Sequence, residues 1–203
     1  MLLTLAGLSG AWLLQRAWRQ EPRPLRSAER VLAPLLFVWG VAWWSGSGLH
    51  EIDRFLPQSL QLNAAIVFFT ASCLLFSWLE RRCDWPAARH AALALLPLLF
   101  PLALLAAGHL PHPFAHLGYL AWPVAFAAHF RLLQRHEADG SRHVDWLHAA
   151  GLWLLAAIGA WELAWNIDRW VGGRAAWPLL GWALWPAALL AALALREIGR
   201  AHV

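Results

Sequence analysis

The chain alternates between long apolar runs and short polar stretches. The runs extend approximately over Met1–Gln15, Val31–Gly48, Ser59–Leu79, Ala91–Gly108, Leu117–Leu133, Trp146–Trp170 and Trp177–Leu195. A helix of about 20 apolar residues crosses the hydrocarbon core of a bilayer, and only helices and closed barrels satisfy their backbone there. No run shows the two-residue alternation of strands. We therefore predict an all-α protein, a polytopic transmembrane helix bundle of about seven spans.

Composition supports a membrane environment. The 203 residues are 60% hydrophobic and 14% charged, unlike a soluble domain. All sixteen basic residues are Arg, and they lie in scattered clusters rather than on one surface, so nucleic acid is not an expected partner. We expect one membrane-embedded helical domain over residues 1–203, with membrane lipids, further membrane helices or a second copy as partners. Its richness in Ala, Leu and Trp suggests a bacterial source, hence the bacterial inner (cytoplasmic) membrane.

The arginines predict the orientation of the chain. Thirteen of the sixteen fall on alternate loops, after the first, third, fifth and last runs: Arg16, Arg19, Arg23, Arg26, Arg30, Arg81, Arg82, Arg89, Arg131, Arg135, Arg142, Arg196 and Arg200. The other loops contain Arg54, Arg169 and Arg174. Loops rich in Arg and Lys stay in the cytoplasm. The N-terminus is therefore predicted outside and the C-terminus in the cytoplasm.

Several spans have individual features. The first, at fifteen residues, would reach only about 22 Å, so either Met1 begins within a longer parent protein or a tilted neighbour thins the bilayer locally. Pro97 and Pro101 predict a bend in the fourth span. Small polar residues in the third span favour a packing seam, with a transport pathway as the alternative: Asn63, Thr70, Ser72, Cys73 and Ser77. Tryptophans near span ends predict an interfacial belt: Trp43, Trp44, Trp122, Trp146, Trp170 and Trp177.

The candidate ligand-binding residues lie on the predicted outer side. They are Glu51, Asp53 and Arg54 after the second span, and Glu162, Asn166, Asp168 and Arg169 near the end of the sixth. Glu162 would lie about 12 Å inside its helix end, where an acid usually faces the bundle interior and finds a partner. It is interpreted either as a structural clamp or as a substrate or proton site. A short sequence echo relates two segments, Ile52-Asp53-Arg54-Phe55 and Ile167-Asp168-Arg169-Trp170. It would be explained by an internal repeat, or by two helix ends that each place a carboxylate, an Arg and an aromatic residue at the level of the lipid headgroups.

Three imidazoles share the loop between the fourth and fifth spans. His109, His112 and His116 could form a metal site with Glu51 or Asp53, although their spacing matches no specific metal motif. The alternative is hydrogen bonding at the interface. The chain contains no dinucleotide-binding, phosphate-loop, nucleophile-elbow or zinc-protease motif. We expect no cofactor, and the lack of these motifs argues against an enzyme.

Several segments resemble the bacterial predicted membrane proteins of domain of unknown function family 2339. They are Glu29–Phe37 running into Trp43-Trp44 and Glu51–Phe55, then Gly118–Pro123, and then Trp146–Ala150. The resemblance covers most of the chain after residue 27. It implies a C-terminal part or a shortened relative of a longer membrane protein, and it supplies no catalytic residues because the family has no established activity.

Two functions remain open at this point. The first is a transport-type or ligand- or lipid-binding membrane domain, or an assembly subunit, which needs only the helix bundle. The alternative is an outer-face membrane enzyme that acts on a lipid-linked cell-envelope substrate, with Asp53, Glu51 or Asp168 as general base or metal ligand. Its predicted loops are short for a substrate-binding domain.

Overall fold

A computed structural model describes residues 2–20, 27–137, 142–171 and 177–201. Throughout these ranges the regular structure is helical, as predicted. The helices are α1 (Leu2–Gln20), α2 (Ser27–Phe55), α3 (Gln58–Arg82), α4 (Pro86–Leu93), α5 (Leu95–His109), α6 (Gly118–His136), α7 (Arg142–Val171) and α8 (Trp177–Ala201). Met1, Arg23, Arg26 and Arg174, which enter the predictions above, lie outside the described residues.

Five helical stretches in these ranges are long and apolar enough to cross a membrane: Val31–Phe55, Gln58–Arg82, Pro86–His109, Val144–Val171 and Trp177–Leu195. Two further predicted spans, α1 and α6, form helices of 19 residues each but are not among these five. The all-helical membrane fold is therefore confirmed. Seven crossings and the orientation of the termini stay predictions.

The fourth predicted span is interrupted in a specific place. Pro86 occupies the first turn of α4, where its missing N–H costs no hydrogen bond. A turn at Ala94 then separates α4 from α5. Pro97 lacks the N–H that would bind the carbonyl of Leu93, and its ring crowds that carbonyl. The predicted bend is thus a break three residues before Pro97.

The chain divides into two compact units, Met1–Leu95 and Leu96–Val203. In the first, α1 packs on α2 and α3 packs on α4. Helices α1 and α2 approach each other closely at Gly7, where an added Cβ would lie only 3.1 Å from Gly40 Cα. Every polar residue of the predicted seam in α3 is buried, and Trp44 Nε1 of α2 donates a hydrogen bond of 2.9 Å to Ser72 Oγ. These contacts support the packing seam, while the alternative of a transport pathway stays a prediction.

In the second unit, α7 packs against α6 and α8. Helices α7 and α8 approach each other closely at Gly181, where an added Cβ would clash with the backbone nitrogen of Ala164. Trp146 and Trp170 are highly exposed, as expected of an aromatic belt. Trp122, predicted to belong to the same belt, is fully buried instead. The single domain predicted over residues 1–203 stays a prediction.

Candidate ligand-binding site at Glu162

The connection between α5 and α6 folds into consecutive tight turns. Ala115 N–H donates to the His112 carbonyl at 3.2 Å, and Gly118 N–H donates to the Ala115 carbonyl at 2.9 Å. His116 and Leu117 have φ of 49° and 73°, a left-handed conformation that is costly for a side chain such as leucine. These turns direct His112 and the Phe114 N–H toward the same acceptor in α7.

That acceptor is the carboxylate of Glu162. One oxygen, Oε2, accepts from His112 Nδ1 at 2.8 Å and from the Phe114 N–H at 3.1 Å. The other, Oε1, accepts from Asn166 Nδ2 at 2.8 Å. The Glu162 side chain is 14% exposed. The sequence prediction that Glu162 faces inward is confirmed, and Asn166, one turn away, is one of its partners. The predicted proximity to Arg169 or Arg54, or to Asp53 and Asp168, stays a prediction.

Aromatic contacts extend this cluster toward the end of α7. The His112 ring stacks on Trp165 with centroids 3.7 Å apart and planes at 15°. The Arg169 guanidinium lies over the same Trp165 ring, 5.3 Å from its centroid. A cation near an indole is attracted by the ring quadrupole. Arg169 therefore reaches the cluster through Trp165.

A cavity of about 470 Å³ lies beside the carboxylate. It is lined by Phe114, Trp122, Pro123, Phe126, Leu155, Ile158, Gly159, Glu162, Leu163, Asn166 and Trp185. Most of these side chains are apolar. The indole nitrogen of Trp122 is buried and has no hydrogen-bond partner among the described residues. The cavity thus combines an apolar wall with one carboxylate, one amide and a buried donor.

The other predicted site residues of this unit lie outside that cavity. Asp168 and Arg169 are exposed in the last turn of α7. His109 Nδ1 lies 2.9 Å from the Leu105 carbonyl, and His116 is exposed. Over the described ranges, no group of three or more His, Cys, Asp or Glu side chains could hold a metal ion. Of the three loop histidines, the structure brings His112 to Glu162.

The remaining predicted residues lie at the end of α2 in the first unit. Asp53 Oδ1 accepts a hydrogen bond of 3.2 Å from Gln61 Nε2, which ties α2 to the start of α3. The Arg54 guanidinium lies 5.4 Å from the Phe55 ring centroid. Glu51 is exposed and lines a cavity of about 370 Å³. All three residues, predicted in a loop, belong to α2.

The short sequence echo occupies the same place in two helices, the last turns of α2 and α7. Aligning the echo places Ser47 at the position of Glu162, and Glu51 at that of Asn166. All four residues line a cavity within their own unit. This correspondence extends the echo beyond four residues, while a true repeat stays a prediction.

Sequence reasoning missed two contributors to the site, Trp122 and the Phe114 N–H. Trp122 lies near the end of an apolar run, which predicted an interfacial position. Helical spacing places Trp165 on a face next to Glu162, but its stacking on His112 has no sequence signal. A backbone donor has no sequence signal of its own. The one available signal was the need of an intramembrane acid for partners, which pointed to the cluster but did not name its members.

In the ranges that the structure describes, the chain is helical and has five apolar stretches of spanning length, with a hydrogen-bonded carboxylate within one of them, as in an integral membrane protein. It belongs to the family described as predicted membrane protein (DUF2339), whose model matches residues 1–203. The resemblance seen in the sequence is thereby confirmed. No curated protein and no solved structure matches the chain. The family description states no activity, so function is argued from the site.

Proposed function

We propose that this protein is a multi-pass ligand-binding protein of the bacterial cytoplasmic membrane. Its ligand is a lipid-like molecule with an apolar body and one hydrogen-bond donor. The apolar body occupies the cavity beside Glu162, and the donor binds the carboxylate. The observation that carries the proposal is this carboxylate in the wall of a mostly apolar cavity of about 470 Å³.

A purely structural clamp explains only part of this arrangement. A carboxylate at the centre of a span costs about 2.5–3.5 kcal/mol on insertion scales, and hydrogen bonds to a charged group contribute about 1.5–3 kcal/mol each. The three donors to Glu162 therefore offset its cost without a ligand. A clamp needs no adjoining cavity, however. The cavity volume of about 470 Å³ falls within the range of ligand pockets, roughly 300–1,000 Å³.

The hydrogen bonds already made limit the ligand's polar group. A carboxylate has about four lone-pair positions. His112 and Phe114 use both positions on Oε2, and Asn166 uses one on Oε1. One position on Oε1 remains for a donor such as a hydroxyl or an ammonium group. A ligand carboxylate would be repelled by Glu162, so a long-chain alcohol or amine fits better than a fatty acid.

Photolabelling of the full chain in lipid nanodiscs tests this proposal. The probes are a long-chain alcohol and the matched fatty acid, each with a diazirine in its alkyl chain. We expect the alcohol to label the segment 155–163 and the acid to label it much less. Ile158→Trp should abolish that labelling because Ile158 is buried and lines the cavity. Ala157→Trp adds the same side chain at an exposed position of the same helix and serves as control.

The two variants separate cavity binding from contact with bulk lipid. Labelling that falls equally in Ile158→Trp and Ala157→Trp, or that is equal for the alcohol and the acid, would contradict the proposal. Thermal unfolding of both variants shows whether the larger side chain is accommodated. A folded Ile158→Trp protein that still takes up the alcohol at 155–163 would also count against it.

A further inference from the structure

A third pocket, of about 440 Å³, lies in the first unit between the end of α3 and the start of α4. It is lined by Trp12, Gln15, Arg16, Arg82, Cys83, Asp84 and Trp85. We propose that this pocket binds a phosphate group carrying a single negative charge, as in the headgroup of an anionic phospholipid. The inference is independent of the ligand proposed at Glu162, because it rests on different residues of a different unit.

The first supporting observation is a buried donor without an acceptor. Trp85 is 5% exposed, and its ring packs edge-on against Phe37 with centroids 5.2 Å apart. Its Nε1 is buried and has no hydrogen-bond partner among the residues that the structure describes. Buried N–H groups are nearly always paired because leaving one unpaired is costly. A phosphate oxygen in the pocket would supply the missing acceptor.

The second observation is the placement of charge. The Arg16 guanidinium lies 5.2 Å from the Trp12 ring centroid, and Trp12 Nε1 donates to the Cys83 carbonyl at 3.3 Å. Trp12 therefore links α1 to the end of α3 and supports Arg16 at the pocket. Arg82, at the end of α3, is exposed and also lines the pocket. Guanidinium groups bind phosphate oxygens through charge-assisted hydrogen bonds.

The net charge of the lining favours a monoanion. Among the described lining residues, two arginines and one carboxylate, Asp84, give a formal charge of one positive unit. The C-terminus of α3 and the N-terminus of α4 meet here, so their opposite helix dipoles largely cancel. A phosphodiester carries one negative charge and matches this lining. A phosphate with two negative charges would leave one unit uncompensated beside Asp84.

The surroundings of the pocket suit a lipid. Leu13, between Trp12 and Arg16 along the chain, is 56% exposed and offers an apolar surface to an acyl chain. Basic pockets between membrane helices commonly bind anionic headgroups on the cytoplasmic side. The arginine distribution independently predicts that this end of α1 and α3 faces the cytoplasm.

Native mass spectrometry of the full chain in detergent tests the inference, with phosphatidylglycerol and diacylglycerol as probes. Phosphatidylglycerol should form the more abundant adducts because diacylglycerol lacks phosphate. Arg82→Gln should weaken its binding about fivefold or more, as expected for one arginine near an anionic headgroup. Trp85→Phe keeps an aromatic side chain of smaller size but removes the N–H, and it should also weaken binding.

Arg81→Gln is the matched control, because Arg81 neighbours Arg82 in α3 and does not line the pocket. It should change binding less than about twofold if the pocket, rather than diffuse surface charge, is responsible. Equal losses in Arg81→Gln and Arg82→Gln, or equal binding of diacylglycerol, would overturn the proposal. Displacement of the lipid by millimolar inorganic phosphate, which carries up to two negative charges, would contradict the preference for a singly charged headgroup and assign the pocket to free phosphate instead.

Discussion

His112 Nδ1 lies 2.8 Å from Glu162 Oε2, which joins the turn before α6 to the body of α7 across fifty residues of sequence. An ionised carboxylate is only an acceptor, so Nδ1 carries the proton in this pair. The His112 ring is also stacked on Trp165. One imidazole therefore makes a polar contact at its edge and an aromatic contact at its face, and both restrain the turn.

The first prediction separates the charge of Glu162 from its hydrogen bonds. In Glu162→Gln, the side-chain oxygen can accept from His112 and the Phe114 N–H, while Asn166 Nδ2 keeps its hydrogen bond of 2.8 Å to the backbone carbonyl of residue 162. Its thermal stability should stay close to that of the parent protein. Glu162→Leu leaves His112 and the Phe114 N–H without their acceptor and should lower the free energy of unfolding by about 2 kcal/mol or more. Thermal unfolding in one detergent measures both changes.

The same pair of variants tests the ligand proposal. Loss of photolabelling by the long-chain alcohol in a stable Glu162→Gln protein would indicate that the negative charge holds the ligand. Unchanged labelling would restrict Glu162 to a structural role. A Glu162→Leu protein as stable as the parent would contradict the hydrogen-bonded cluster itself.

The helices themselves could largely be predicted from the sequence. The apolar run Ser59–Leu79 became α3, and Trp177–Leu195 became the greater part of α8. The helix ends were predicted less well, because apolarity reports the hydrocarbon core while a helix continues into the polar interface. Glu51 and Asp53 are therefore helical, although their polarity indicated a loop.

The site could be predicted only in part. The cost of an acid inside a span places Glu162 inward, and helical spacing puts Asn166 on its face. The contact with His112 depends on tight turns that include the left-handed His116 and Leu117. No residue type in that loop requires such a conformation. The contact of His112 with Glu162 could therefore be seen only in the structure.

The second prediction concerns the polar seam of α3. Ser72→Ala removes the acceptor of the Trp44 N–H, which lies 2.9 Å from Ser72 Oγ. We expect the free energy of unfolding to fall by about 1–2 kcal/mol. Trp44→Phe together with Ser72→Ala removes both partners, so the loss in the double variant should be smaller than the sum of the single losses. Strictly additive losses would show that this hydrogen bond does not contribute to the seam.

The third prediction concerns the close approach of α7 and α8. Gly181→Ala places a Cβ 2.4 Å from the backbone nitrogen of Ala164, so the two helices must separate. We expect a loss of about 1–3 kcal/mol in stability, as for other overpacked sites. Gly108→Ala is the control within the same unit, because a Cβ there meets no atom within 4 Å. Comparable melting temperatures for both variants would show that the contact tolerates expansion.

The last prediction concerns whether α6 crosses the membrane. It is not among the five stretches of sufficient length and apolarity, and it contains His129, Arg131 and Arg135. His129 is only 1% exposed, however, and its neighbours Leu132 and Leu133 in α6 are also buried. A polar group that faces protein rather than lipid does not carry the full cost of insertion, so mean hydropathy understates the ability of α6 to span.

The arginines provide the independent argument for that crossing. If α6 spans, the clusters after α3, after α6 and within the last turns of α8 all lie on one side, as cytoplasmic arginines should. If it does not, Arg131 and Arg135 share the side of the His112 turn, and the C-terminus moves to the side opposite the cluster after α3. A reporter active only in the cytoplasm should therefore work when inserted at 138–141 or fused after Val203, and fail at 110–116. Equal activity at 110–116 and 138–141 would show that α6 does not cross, and it would reverse the orientation predicted for α7 and α8.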